Sequence, residues 1–509
     1  ALGIISASVN RVNAIFERDL AVRFVLAENN DQIIYGDADT DPFTTTGGAL
    51  LDETQITIDD VIGDENYDIG HLISFDEGGG LAGLGVACFT GSKAYAYSGV
   101  GNETTAFDLL VFPHELGHQL GAPHAFVQPS SDFDPQFIGV EPGPGYTIMS
   151  YPHFATYRRL DELVGYHFHG ASIDDMDSFV RSPQGTCGTD TPTGNDAPVV
   201  TAPATITIPP GALVTLDGEA TDASGTTLTY AWEQMDLYGN GTGAVPLIRA
   251  LDPSPNSART IPDLRRFLDG RPYRDEEPLE PGVTYRFQLT VRDNVPGGGA
   301  QGEATTRVSV TSSDTPFAIT SVPDETVYQV GDMVEVTWNV AGSDSDEVGV
   351  SAVDVLVSTD DGVTWSPLVE NVPNDGSETV TMPATPTADG RLMVRAVGAP
   401  FFAATEESFE LSSIVSAGDE AAPQFVSVSA VWPNPAADRA RVQVRVPEPT
   451  SLRATVYDAL GRAVAVAKRS ATAGAVTMEM STDALAAGVY LLRVEGDTFV
   501  ETRRFVVAR

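Results

Sequence analysis

Eleven residues, HELGHQLGAPH at 114–124, hold three of the seven histidines of this 509-residue chain. On a helix, His114 and His118 stand four positions apart and face the same way, so both imidazoles can meet one metal ion. Gly121 can take a positive φ without a Cβ clash, which lets the chain leave the helix and swing His124 back as a third ligand. Three neutral nitrogens with a fourth position left for water suit zinc in tetrahedral geometry better than an oxygen-preferring cation. Glu115 sits beside that water as the candidate general base. All the histidines fall between His71 and His169, so imidazole chemistry is confined to the first third of the chain. His71 lies in a strand pattern and reads as a packed side chain; His153, His167 and His169 read as structural or solvent-exposed.

The elements that must position these residues follow from periodicity. Ile4, Ile5, Val9, Val12, Ile15 and Phe16 recur at helical spacing. Residues 21–27 (AVRFVLA), 68–75, 82–88 and 93–98 read as strands. TAFD at 105–108 resembles a capping box for the histidine helix, whereas Pro113 predicts a bend or a later helix start. The turn GYTIMSY at 145–151 carries Met149 and Tyr151.

HExxHxxGxxH followed by a methionine turn resembles the metzincin clan of zinc endopeptidases. NRVNAIFERDLAVRFVL (10–26), YDIGHLIS (67–74), GLAGLGVAC (80–88) and HELGHQLGAPH together resemble bacterial reprolysin-like secreted metalloproteases. The resemblance implies an α/β metzincin catalytic domain over 1–188, with an antiparallel edge strand, here 82–88, lining the cleft where a substrate peptide could extend it, and with its N-terminal strand apparently missing because the chain starts at the first helix. It further implies one catalytic Zn2+ on His114, His118 and His124, Met149 as an apolar floor, and protein or peptide substrates. Tyr151 stands two residues after the methionine, as in astacins and serralysins. It is either a hydrogen-bond donor to the reacting oxygen or a packing residue. The only two cysteines, Cys88 and Cys187, either pair in an exported protein or remain buried thiols.

Net charge is −42, and only two residues are lysine, Lys93 and Lys468. Such a surface repels phosphate backbones and anionic lipid, which argues against nucleic-acid binding. No apolar run reaches the length of a transmembrane helix. The acidic excess fits a salty habitat or a genomic base bias. DADTD at 37–41 has oxygen ligands suited to Ca2+, although a solvated loop is the simpler account.

Beyond a turn-rich segment at 189–197 the chain reads as all-β: multidomain, with Ig-like sandwiches after the α/β domain. The first, 197–314, carries Trp232 and a strand placing Tyr285, Phe287, Leu289 and Val291 on one face. It resembles PKD-type modules, which are spacers or weak binding units. The second, 316–414, contains Trp338 and one Asp-box, STDDGVTW at 358–365, read as a structural hairpin. Residues 424–509 carry a net +3, unlike the acidic remainder. WPNP, YDALGR, AGVYLLRV and the basic ending resemble the C-terminal sorting domain of type IX secretion. That implies the type IX machinery as partner and an extracellular or outer-surface location in a Gram-negative bacterium. The alternative to a secreted peptidase is a surface adhesion protein with a catalytically silent metzincin fold; an intact Glu115 favours the enzyme.

Overall fold

The computed structural model describes the chain except residues 1, 38, 44–45, 76–78, 101–106, 128–136, 152–164, 240–242, 270–275, 322–326, 414–425, 438 and 509. It divides into two compact units, Ala1–Ser412 and Ser413–Arg509. Among the described residues no helix is long and apolar enough to cross a membrane.

In the first unit, helix α1 (Leu2–Leu20) buries Val12, Ile15 and Phe16, the apolar stripe expected from its spacing. Phe16 meets Phe24 and Phe168 edge to face, at 5.0 and 5.1 Å between ring centroids. Helix α2 (Ala49–Val61) lies beside a three-stranded sheet of β1 (Leu72–Ser74), β2 (Gly80–Ala82) and β3 (Ala96–Gly99), in the order β1-β3-β2. β1 is parallel to β3 and β2 antiparallel to it.

Two strand expectations need correction. Residues 21–27 are extended but form no ladder, because the Asn13 side chain takes both the N–H and the C=O of Phe24. The edge strand is Gly80–Ala82 rather than 82–88, since Gly85, at φ 62°, and the turns around it carry the following chain off the sheet.

Cys88 and Cys187 are bonded, with Cα atoms 5.4 Å apart at a sequence separation of 99. A closed loop of that length removes denatured-state entropy worth about 4–5 kcal/mol in the chain-entropy model. The double variant Cys88→Ser/Cys187→Ser is therefore expected to lower peptidase-domain stability by roughly that amount. Denaturant melts with and without reductant measure it; an unchanged midpoint would remove the bond from the stability account.

The two β-sandwiches of this unit share one hydrophobic core running from Ile206 to Leu411. Tyr285, Phe287, Leu289 and Val291 are all fully buried on one face of strand Thr284–Arg292, while Trp232 and Trp338 are each 3 % exposed. Backbone pairing crosses the expected join near 315: Val214 pairs with Phe401 and Leu213 with Phe402, so one sheet runs through both sandwiches. The Asp-box is a closed hairpin in which Asp360 accepts from Ser358 Oγ at 2.7 Å and from Thr364 N at 2.8 Å. In the second unit, a three-stranded and a four-stranded antiparallel sheet enclose a core that includes Val442, Leu492 and Phe505.

Candidate metal centre and catalytic site

A π-helical turn, Phe107–Val111, leads into helix α3 (Phe112–Gln119). Thr105 of the capping signal lies outside the described residues, and the α-helix proper starts later, at Phe112. Pro113 thus falls in the first turn, where a missing N–H leaves no hydrogen bond broken. His114, Glu115 and His118 are all buried on this helix. Gly121 takes φ 97°, and the chain turns into β4 (His124–Phe126), which pairs in parallel with β5 (Phe137–Glu141).

The ligand atoms of His114, His118 and His124 lie within 4.8 Å of one another. The His114 Nδ1–H donates to the Ile148 carbonyl at 2.6 Å, and the His118 Nδ1–H donates to the Ala122 carbonyl at 2.7 Å. A carbonyl can only accept, so both rings are held in the tautomer whose Nε2 carries the lone pair. His114 Nε2 is buried without a hydrogen-bond partner among the described residues. His118 Nε2 is 3.2 Å from His124 Nε2. Two nitrogens bound to one zinc in tetrahedral geometry would stand about 3.3 Å apart, so the donor set fits that ion. Burial drives the His114 imidazole well below its ordinary pKa and the His118 imidazole down to about 4, leaving both neutral as ligands must be.

Glu115 is 3 % exposed, and with no cation beside it burial pushes its carboxyl up to about 8; a zinc ion held by the three imidazoles would favour the ionised form that a base needs. A Cβ on Gly80 of β2 would sit 2.5 Å from Glu115 Oε1, so the edge strand approaches the carboxylate this closely only because it carries glycine there. Tyr151 OH is 2.8 Å from His124 Nε2, and burial followed by the charge of Glu115 raises the phenol to about 12. A cavity of about 40 Å3 is lined by Gly80, Leu81, Ala82, Leu84, Glu115, His118, His124 and Tyr151. A cleft of 2690 Å3, bordered by residues 21–27 and β1 among other segments, is lined by none of the three histidines and not by Glu115.

Residues 1–160 match the profile of metallo-peptidase family M12B, reprolysin-like. The N-terminal domain is a reprolysin-like metallopeptidase domain. Residues 430–508 match the secretion system C-terminal sorting domain. This metallopeptidase is accordingly an exported one, sent by the type IX route to the outer surface or the exterior of a Gram-negative bacterium. No curated protein sequence matches the chain. Among solved structures, 61 % of the chain aligns with all of the chicken CNTN1 FN1-FN3 domains at 11 % identity and a TM-score of 0.14. The titin I-band fragment I67-I69 aligns over 62 % of this chain and 98 % of its own, at 10 % identity and a TM-score of 0.16. The Bacteroides ovatus mixed-linkage glucan protein SGBP-B aligns over 62 % of this chain and 71 % of its own, at 14 % identity and a TM-score of 0.19.

The metallopeptidase fold brings His114, Glu115, His118, His124 and Tyr151 together and leaves out His71, His167 and His169. His71 is packed between Gln119 Oε1 and Ser98 Oγ, each at 2.8 Å. His153 lies outside the described residues. His167 and His169 sit where the domain meets the first β-sandwich. His167 lies between Glu233 and Asp252, at 3.8 and 3.4 Å. Burial opposes charge on His167, but these two carboxylates raise its pKa; burial likewise opposes the charge of Glu233, yet His169, His167 and Arg292 hold it at about 2. Among the described residues the three histidines are the only cluster of three or more metal-donor side chains. At 37–41 one oxygen each of Asp37 and Asp41 accepts the N–H of Asp39 and Phe43, turn contacts of the kind a solvated loop makes.

Three residues went unread in the sequence. Gly117 lets Met149 under the helix, since a Cβ there would stand 2.6 Å from Met149 Sδ. Met149 itself is fully buried. Gly80 makes room for Glu115, as described above. Glu141, also fully buried, accepts from Thr147 Oγ1 at 3.0 Å, from Tyr146 N at 3.2 Å and from Ser150 Oγ, tying down the turn that carries Met149. The one sequence signal for Glu141 was an acidic residue at the end of a strand just before a Pro/Gly turn.

Proposed function

We propose that this metallopeptidase is a zinc endopeptidase that hydrolyses peptide bonds of protein substrates with Glu115 as general base. The observation that carries the reading is the convergence of three buried imidazoles, two of them held by backbone carbonyls with Nε2 toward the site, beside a buried carboxylate. Bound by His114, His118 and His124, zinc supplies a Lewis acid and an acidified water.

The chain's own residues do the rest. Glu115 Oε2, which has no hydrogen-bond partner among the described residues, takes a proton from the attacking water and passes it to the leaving amine. The Tyr151 phenol keeps its proton at neutral pH and donates to the oxygen on which negative charge develops. Strand β2 pairs with β3 along one edge and borders the cavity, so an extended substrate can add to its other edge by main-chain hydrogen bonds. No nucleophilic serine or cysteine is called for; the two cysteines are joined to each other.

The test is cleavage of unfolded casein by the full chain after dialysis against chelator and after return of one equivalent of zinc. Activity that vanishes with chelation and returns with zinc is the expected result. A zinc-loaded protein that leaves casein and short peptides intact would overturn the proposal.

A further inference from the structure

We propose that the first β-sandwich is a working part of the peptidase rather than a spacer, and that its Arg292 is a positioning residue for the metal ligand His114. The inference rests on the zinc endopeptidase reading and concerns how that site is held in shape.

Arg292 closes strand Thr284–Arg292 of the sandwich, and both it and Asp19, at the end of α1, are 0 % exposed. Its Nε donates to Asp19 Oδ1 at 2.8 Å, and its Nη2 donates to the Phe168 carbonyl at 2.9 Å. Charges taken this far from water need partners, and here one guanidinium serves both an aspartate and a backbone carbonyl of the other domain, through Nε and Nη2, while its Nη1 has no hydrogen-bond partner among the described residues. Two more bonds cross nearby: Gln301 Nε2 donates to the Asp19 carbonyl at 2.6 Å, and Gly299 N donates to the Glu17 carbonyl at 2.9 Å. Gly170 N donates to Glu233 Oε2 at 2.9 Å, and a Cβ on Gly170 would come within 2.9 Å of Thr290 Oγ1. The peptidase segment 165–170 is thus pressed against the sandwich.

That segment is one hydrogen bond from the methionine turn. Ile148 N donates to the His167 carbonyl at 3.0 Å, while the Ile148 carbonyl receives the His114 Nδ1–H at 2.6 Å. The Phe168 ring packs under the histidine helix, 3.3 Å from where a Cβ on Gly117 would stand. Arg292 therefore fixes Phe168, the 167–168 backbone fixes Ile148, and Ile148 sets the tautomer and direction of His114. Partners of a ligand imidazole tune metal affinity by roughly 10- to 100-fold. Arg292 acts on the same imidazole from one step further out.

The experiment uses the full chain, with zinc affinity measured by chelator competition alongside melting temperature, kcat and KM. Arg292→Lys keeps the charge toward Asp19 but cannot hold Asp19 and the Phe168 carbonyl with one fork; we expect zinc affinity to fall several-fold and kcat to fall with KM little changed. The paired variant Asp19→Leu/Arg292→Met removes both fully buried charges, leaving only the part-exposed Arg18 without its Asp19 partner, and should weaken zinc by about 10-fold or more. Either folded variant binding zinc with parental affinity overturns the proposal, whatever its melting temperature, and leaves Arg292 as structural glue. If one variant fails to fold, the other decides. Should the parental protein neither bind zinc nor cleave, the endopeptidase reading itself has failed, and the parental control shows this separately.

Discussion

Replacing Glu115 with Gln is expected to lower kcat on a protein substrate by about 10²- to 10⁴-fold, the span that general acid–base catalysis contributes. The substitution is nearly isosteric, which matters at a position where Gly80 leaves no room for a larger group. It removes the ability to take a proton but touches neither the Ile148 carbonyl that orients His114 nor the Ala122 carbonyl that orients His118. The variant should therefore bind zinc as the parent does. Metal content and casein hydrolysis measured on the same preparation separate the two properties. Parental turnover by the variant would take the proton-transfer role away from Glu115.

His118→Ala should act on the other property. The side chain contributes one of three imidazoles, and its Nε2 lies 3.2 Å from that of His124, so truncation leaves two donors and an open wall. Loss of a ligand costs more than the roughly 10- to 100-fold in affinity that loss of a supporting hydrogen bond costs. At a free zinc concentration 100 times the dissociation constant, the parent gains about 2.7 kcal/mol of stability from the ion by mass action. The variant should show almost none of that zinc-dependent shift and no measurable hydrolysis. Thermal melts with and without zinc read this directly. A full shift in the variant would mean that donors other than this triad hold the metal.

Together the two substitutions separate holding the ion from using it. A protein that keeps its zinc in Glu115→Gln, loses it in His118→Ala and cleaves in neither behaves as the geometry requires.

Much of the site was legible because its chemistry is local. Helical spacing puts His114 and His118 on one face, and a glycine four residues after Gly117 lets His124 return, whatever the rest of the chain does. The sorting domain was legible for a similar reason: its turn and strand segments are short and occur in order. The strands were less so. A strand exists only when a neighbour takes its backbone groups, and at residues 21–27 a single side chain, Asn13, takes those of Phe24 instead. Helix α3 starts seven residues after Thr105 because the local signal for a cap competed with Pro113, and the proline belongs in a first turn.

What the sequence by itself determined is therefore the histidine triad, the carboxylate proposed as base and the secretion route, since each is carried by a few residues at fixed spacing. What only the tertiary structure decided is how those residues are held. Glu141 at the methionine turn, Gly80 against Glu115 and Arg292 against Phe168 meet partners between 5 and 124 positions away. No periodicity reports such pairs, because burial and hydrogen-bond satisfaction across distant segments arise only once the whole chain has packed.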